Sequence, residues 1–125
     1  VGETLEERQG GKLEEVLSRQ IKVGLAGVEA SQMEKITIAY EPVWAIGTGM
    51  TATPEDADGA HAFIRSTVGS LYSDDIAKNL IIQYGGSVKA GNIKALMSKE
   101  NVDGALVGGA SLTLDAFLPI ITYNN

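Results

Sequence analysis

One glutamate and two glycine pairs are the residues of this chain best suited to act together chemically. Glu41 follows the apolar segment 36–40, and Gly85-Gly86 and Gly108-Gly109 each follow a similar segment. A carboxylate in such a place can accept a proton as a general base. Paired glycines let backbone N–H groups converge on an anion, because no side chain obstructs the approach. Alone, a glycine pair is usually a tight turn and a lone carboxylate is usually solvated, but together they predict a phosphate site beside a base.

Alternating strand and helix patterns position these residues. Apolar, β-branched runs predict strands, and apolar residues at helical spacing predict helices. Because apolar strands that alternate with helices form a parallel sheet, we expect all three strand ends to meet at one edge. The predicted strands are residues 36–40, 80–84 and 105–107, with Val1-Gly2 as the remnant of a fourth; the predicted helices are residues 12–26 and 54–72, a short helix marked by Ile93, Leu96 and Met97, and a last helix marked by Phe117, Leu118, Ile120 and Ile121.

Composition excludes several classes of function. The 125 residues include 10 Lys and Arg against 16 Asp and Glu, a net charge of −6 that disfavours binding to nucleic acid or to anionic membranes. With no cysteine and one histidine, the chain has no disulfide and no thiolate or multi-histidine metal site. The longest uncharged stretch, residues 42–54, is too short and polar to span a bilayer, and the opening residues do not resemble a signal peptide. We therefore expect one α/β unit, residues 1–125, in the cytoplasm.

Three other features have simpler interpretations. His61 lies one position from the apolar face of its helix, so we expect a surface or boundary histidine without a catalytic role. The acid-rich stretch that contains Glu3, Glu6 and Glu7 is most simply a solvated face. Trp44 stands inside a glycine-rich loop, where a large aromatic side chain usually docks against another part of the protein.

Residues 39–49, AYEPVWAIGTG, resemble the strand with the catalytic glutamate and the flexible lid of the triosephosphate isomerase family. The similarity continues through residues 51–55, 84–88, 103–112 and 1–8, and covers all 125 residues. It covers only the carboxyl-terminal half of the family's (βα)8 barrel, about four βα units. The resemblance implies the interconversion of two small phosphorylated trioses, dihydroxyacetone phosphate and glyceraldehyde 3-phosphate. It implies neither a cofactor nor a metal.

The resemblance also implies roles for individual residues. Glu41 matches the base that moves a proton between adjacent carbons. Ile46 and Leu106 match apolar residues that press on this glutamate when the lid closes, where desolvation raises its basicity. The backbone N–H groups that match the family's phosphate cradle are those of Gly47, Ser87, Gly108 and Gly109.

The lid is implied to move on two hinges, residues 42–44 and 50–52, with residues 45–49 as the moving tip. Closure protects the enediolate intermediate from water, which would otherwise let it lose phosphate. The hydrogen bonds of Tyr84 and Ser87 are implied only in the closed state. We therefore expect both side-chain hydroxyls to be solvated when the lid is open. The implied lid contacts are Tyr84 with the backbone of Ala52, Ser87 with Gly49, and Glu3 with the Trp44 indole.

Two departures from the family bear on activity. Met50 stands where the family usually has a lysine, which affects the second hinge. The family's substrate-binding lysine, its carbonyl-polarising histidine and a nearby asparagine belong to the other half of the barrel, so we expect the chain to need an amino-terminal half-barrel for activity. One alternative is a self-associating half-barrel that binds phosphate without catalysis. Another, a different phosphate-binding (βα)8 enzyme, explains the glycine pairs but not residues 39–49.

Overall fold

Three parallel strands form the sheet in the computed structural model, which describes residues 1–125. Their order is β1 (Thr37–Tyr40), β2 (Ile81–Tyr84) and β3 (Gly104–Ala105). Val1 extends the sheet beyond β1, since its carbonyl accepts from the Glu41 N–H at 2.7 Å. The strand register places Tyr40 beside Tyr84 and Tyr84 beside Ala105, so the three carboxyl ends lie at the same edge.

Six α-helices accompany the strands, two more than the sequence pattern predicts. The capping box of Thr4 and Glu7 begins a separate short helix that ends at Gly10, and Gly11 follows with a φ of 70°. Another short helix begins at Ser73, whose side chain accepts from the Ile76 N–H. Both escape detection because fewer than two turns show no apolar period. The helices are α1 (Leu5–Gln9), α2 (Leu13–Gly24), α3 (Pro54–Leu71), α4 (Asp74–Asn79), α5 (Ile93–Met97) and α6 (Leu114–Ile121), with 3₁₀ turns at Ala30–Lys35, Val43–Ala45 and Gly109–Ser111.

The core lies between the sheet and the helices α2 and α3. Leu17 and Ile21 of α2, Ile64 and Val68 of α3 and Ile82 of β2 are each at most 1% exposed. The amino end of α3 is fixed by Thr53, whose side chain accepts from the Asp56 N–H in a capping box. This anchoring matters for the site, because α3 begins directly after the lid segment. None of the helices is long and apolar enough to cross a membrane.

Apolar side chains are exposed around α6 and the end of β3. This surface, the α6 surface, combines residues from the loop after β3 with one side of the last helix. The side chains of this surface are between 43% and 83% exposed. Such exposure is unusual for a helix as apolar as α6. The residues of this surface are Leu106, Leu112, Leu114, Leu118 and Ile121.

His61 is completely buried, so the prediction of a surface or boundary position is wrong. It belongs to the wide buried face of α3, where Ala57 and Ile64 lie on either side of it. Its Nδ1 lies 3.0 Å from the Asn101 carbonyl and therefore donates to it, while Nε2 is buried without a partner. Burial lowers the pKa of His61 to about 4, which keeps the ring neutral at physiological pH.

The stability of the fold is expected to fall on acidification because of His61. The unfolded histidine binds a proton near its ordinary pKa of 6.5, and the folded one only near 4, so the unfolded state gains protons first as pH decreases through this window. Between pH 7 and pH 4.5 the expected loss is about 2–3 kcal/mol. Urea unfolding at both pH values should show a smaller loss for His61→Gln than for the unmodified chain. An equal loss in both proteins would contradict the assignment.

Candidate active site

The carboxyl edge of the sheet carries a cleft of about 280 Å³. Residues from the lid, from the loop after β2 and from the loop after β3 line it together. The sequence-predicted phosphate-binding residues Gly47, Ser87, Gly108 and Gly109 all belong to this lining, and so does Ile46. The topology therefore brings together glycines that are more than 60 residues apart in the chain.

Three of the four predicted phosphate-binding N–H groups are free. Those of Gly47, Gly108 and Gly109 donate to no acceptor in the protein. Gly47 has a φ of 66°, a left-handed conformation that glycine adopts without strain. Unpaired amides that line a concave surface are typical anion ligands, since several N–H donors with partial positive charge can converge on one anion.

The Ser87 N–H is not free, in contrast to the expectation from the resemblance. It donates to the Ala45 carbonyl at 3.1 Å. Ala45 itself is fully buried in this structure. While this hydrogen bond holds, the Ser87 N–H is not available to an anion in the cleft.

Glu41 lies at the end of β1 and is half-buried. A Cβ atom at Gly85 would lie 2.6 Å from Glu41 Cγ and 3.2 Å from its Oε1, so the carboxylate side chain rests on the Gly85 backbone. Gly85 also lines the cleft, so the Glu41 side chain packs against one of the residues that line it. No ion pair or side-chain hydrogen bond engages the Glu41 carboxylate. Its lone pairs are therefore available to accept a proton.

Glu3 is completely buried beneath the start of the lid, so its interpretation as a solvated residue is wrong. Its carboxylate accepts from Tyr40 Oη at 2.9 Å, from Trp44 Nε1 at 2.9 Å and from Arg8 Nη1 at 3.1 Å. The Arg8 guanidinium also lies 4.9 Å from the centre of the Trp44 ring and pairs with Asp56 at 2.7 Å. Burial and the neighbouring Glu3 carboxylate raise the pKa of Tyr40, so its phenol remains a donor.

The segment 46–51 is exposed to solvent in this structure. Ile46 is 46% exposed and Leu106 is 43% exposed, so neither is buried against the rest of the site. Ser87 makes no hydrogen bond to Gly49, and residues 46–51 are exposed throughout. This arrangement leaves the cleft accessible to a small molecule.

The Tyr84 hydroxyl is buried without a hydrogen-bond partner, which contradicts the expectation that it is solvated while the lid is open. It is packed so closely that a Cβ atom at Gly86 would collide with it. Burial raises the pKa of Tyr84, and the adjacent backbone of Ala52 opposes this rise. The hydroxyl therefore has an unmet capacity for a hydrogen bond beside the second lid hinge.

Tyr84→Phe is expected to leave the unfolding free energy unchanged or to raise it by about 1 kcal/mol, because it removes a buried unpaired hydroxyl. Tyr72→Phe is the matched control. Its hydroxyl donates to the Val28 carbonyl at 2.8 Å, and its loss should cost about 1 kcal/mol. Urea titrations of both variants measure the difference. A destabilisation of Tyr84→Phe equal to that of Tyr72→Phe would show that its hydroxyl is paired.

Sequence reasoning missed two contributors to this site. Arg8 joins Glu3, Trp44 and Asp56, yet nothing in its local pattern separates it from a solvated cation. Gly85 was recognised as half of an anion-binding pair, whereas the structure shows that its missing side chain makes room for Glu41. The available sequence signal for this contact is that Gly85 and Glu41 each directly follow a predicted strand. The structure pairs the ends of these two strands, β2 and β1.

Comparisons with known proteins agree with this geometry. The sequence model of the triosephosphate isomerase family matches residues 1–124. The chain is 57% identical over 124 residues to the triosephosphate isomerase of Treponema denticola, which covers 99% of this chain and 50% of that protein. It is 58% identical over 123 residues to that of Clostridium tetani, covering 98% of this chain and 48% of that protein. For the enzyme of Borrelia duttonii the identity is 56% over 121 residues, with 97% and 48% covered. The chain spans about half the length of these curated relatives, and by this match it belongs to the triosephosphate isomerase family.

Proposed function

We propose that this chain contributes the general base, the lid and the phosphate-binding amides of a triosephosphate isomerase. The substrate would be dihydroxyacetone phosphate or glyceraldehyde 3-phosphate. The observation that carries the proposal is the cleft itself. Three free N–H groups, of Gly47, Gly108 and Gly109, line it, and the unpaired carboxylate of Glu41 rests on Gly85 at its wall.

Each group has a distinct task in this reaction. The free amides would hold the phosphate and so fix the distance between the triose carbons and Glu41. Glu41 would remove a proton from the carbon beside the carbonyl and return it to the neighbouring carbon, so no other reactant is consumed. The electrophile that stabilises the enediolate would come from the other half of the barrel. Without it, the chain alone should be at least about 10³-fold slower than a complete enzyme.

The lid would close over the bound phosphate. Ile46 and Leu106 are exposed apolar residues at the edge of the site, and their approach would remove water from Glu41. Closure would also release the Ser87 N–H from Ala45 and offer the unpaired Tyr84 hydroxyl a partner. The unmet hydrogen bond of Tyr84 supports such a second state, because a buried hydroxyl without a partner is unfavourable.

The partner would be an amino-terminal half-barrel. The outer edge of β3 pairs with no strand, and the α6 surface is apolar and exposed beside it. Such an edge and patch favour association. The second candidate function is a self-associating half-barrel that binds phosphate without catalysis, and the same surface supports it.

Mixing experiments test both candidates. The chain is combined with the amino-terminal half of the Treponema denticola relative, and isomerisation is measured for each half and for the mixture. The expected result is that the mixture isomerises the substrate and that neither half does so by itself. Association of the chain with itself in sedimentation, together with phosphate binding but no turnover after mixing, would support the second candidate instead. A monomer that unfolds cooperatively and gains no activity on mixing would contradict both.

A further inference from the structure

Lys89 is the only charged residue among the 11 that line the cleft. Its side chain is exposed, and it belongs to none of the four ion pairs of the chain. It also differs in kind from the other cleft donors, which are neutral backbone N–H groups. A positive charge without an ion-pair partner is therefore present at the cleft that the free amides of Gly47, Gly108 and Gly109 line.

The backbone around Lys89 is held in place by Asn92. The Lys89 N–H donates to Asn92 Oδ1 at 2.7 Å, and Asn92 Nδ2 donates to the Ser87 carbonyl at 2.8 Å. One side chain thus closes the turn from Ser87 to Asn92. The point at which the lysine side chain leaves the backbone is fixed beside the cleft, while its ammonium group keeps its freedom in solvent.

The charge of Lys89 acts on an anion at a longer range than the neutral amides do. The net charge of −6 repels an approaching anion at long range. Neutral amides bind an anion at short range, but they do not offset that repulsion. A local cation raises the anion concentration at the cleft, and the effect is strongest at low ionic strength.

We propose that Lys89 is a further phosphate-binding residue of this cleft, which attracts the phosphate dianion by its charge. The inference rests on the proposed function, since it takes the cleft to be the phosphate site. Lys89 acts on the affinity and the salt dependence of phosphate binding. It touches neither Glu41 nor the free glycine amides, so the proton transfer does not depend on it.

Titration of the 125-residue chain with inorganic phosphate tests the role of Lys89, followed through the NMR shifts of the Gly108 and Gly109 amides. At low ionic strength Lys89→Gln should bind phosphate about two- to fivefold more weakly than the unmodified chain. The difference should largely disappear near ~0.5 M salt, where exposed charges are screened. Lys89→Arg should retain the affinity. Lys22→Gln, on the exposed side of α2, changes the net charge equally and should have a smaller effect.

The outcomes separate the two proposals. Phosphate binding by the unmodified chain with an equal affinity in Lys89→Gln would overturn the role of Lys89 and leave the cleft as a phosphate site. An equal loss in Lys22→Gln and Lys89→Gln would also overturn it, because the effect would then come from net charge alone. No shift at Gly108 or Gly109 at any phosphate concentration would overturn the cleft as a phosphate site, and the role of Lys89 with it.

Discussion

Glu41→Gln is expected to lower the turnover of the chain completed with its amino-terminal half by about 10²–10⁴-fold, the usual contribution of a positioned base. The amide has nearly the same shape, so it can still rest on Gly85, but it cannot accept a proton. Phosphate binding should persist, because the free amides of Gly47, Gly108 and Gly109 are unchanged. Glu14→Gln, an exposed substitution on α2, is the control for the lost charge.

Gly85→Ala tests the same assignment without any change of charge. The added Cβ would lie 2.6 Å from Glu41 Cγ, so the carboxylate must move. A displacement of this size should reduce turnover by about 10²-fold. Gly59→Ala on α3 has no atom within 4 Å of its added Cβ and should leave turnover unchanged. Full activity of Glu41→Gln, or of Gly85→Ala, would show that the base lies elsewhere or is not held by this glycine.

Glu3→Ala is expected to destabilise the fold by about 3–5 kcal/mol, the typical cost of removing one partner from a buried charged cluster. The substitution leaves Tyr40 Oη, Trp44 Nε1 and one Arg8 nitrogen without their shared acceptor. Two of these donors are buried with it, so water cannot easily replace the carboxylate. Urea unfolding followed by circular dichroism measures the effect.

Two further variants make the Glu3 result specific. Glu6→Ala, in the first turn of α1, removes an exposed carboxylate three residues away and should cost less than about 0.5 kcal/mol. Glu3→Gln keeps one acceptor oxygen but introduces an amide donor opposite other donors, so an intermediate loss is expected. Equal stability of Glu3→Ala and Glu6→Ala would mean that the buried cluster contributes nothing to the fold.

The elements that carry the site follow from local sequence patterns. The strands β1 and β2 begin within one residue of their predicted starts, and α3 begins at Pro54 as predicted, where Thr53 and Asp56 form a capping box. Capping signals of this kind depend on residues only three or four positions apart, so they are visible in a single sequence.

Burial was less predictable, because it depends on residues distant in the chain. Glu3 is buried by Tyr40 and Trp44, which lie about 40 residues later, and His61 bonds to Asn101 at a similar separation. Neither a carboxylate nor an imidazole signals such a position by its own pattern. The resemblance to a known family placed Glu3 against Trp44 where residue type alone favoured solvent. Neither residue type nor the family resemblance predicted the hydrogen bond from the Ser87 N–H to the Ala45 carbonyl, because this bond depends on the conformation of the segment 45–49.

The contacts of Arg8 have a consequence for how the lid can change in length. One guanidinium lies against Trp44 at one end of the segment and pairs with Asp56 just beyond the other, so the two ends are held together independently of the residues between them. The lid is in this respect an Ω-loop. Even doubling the length of such a loop adds only about 0.6 kcal/mol of closure entropy. Insertions between Gly47 and Gly49 should therefore be tolerated by the fold. Under the proposed function, such insertions would change the size of the molecules that the cleft admits.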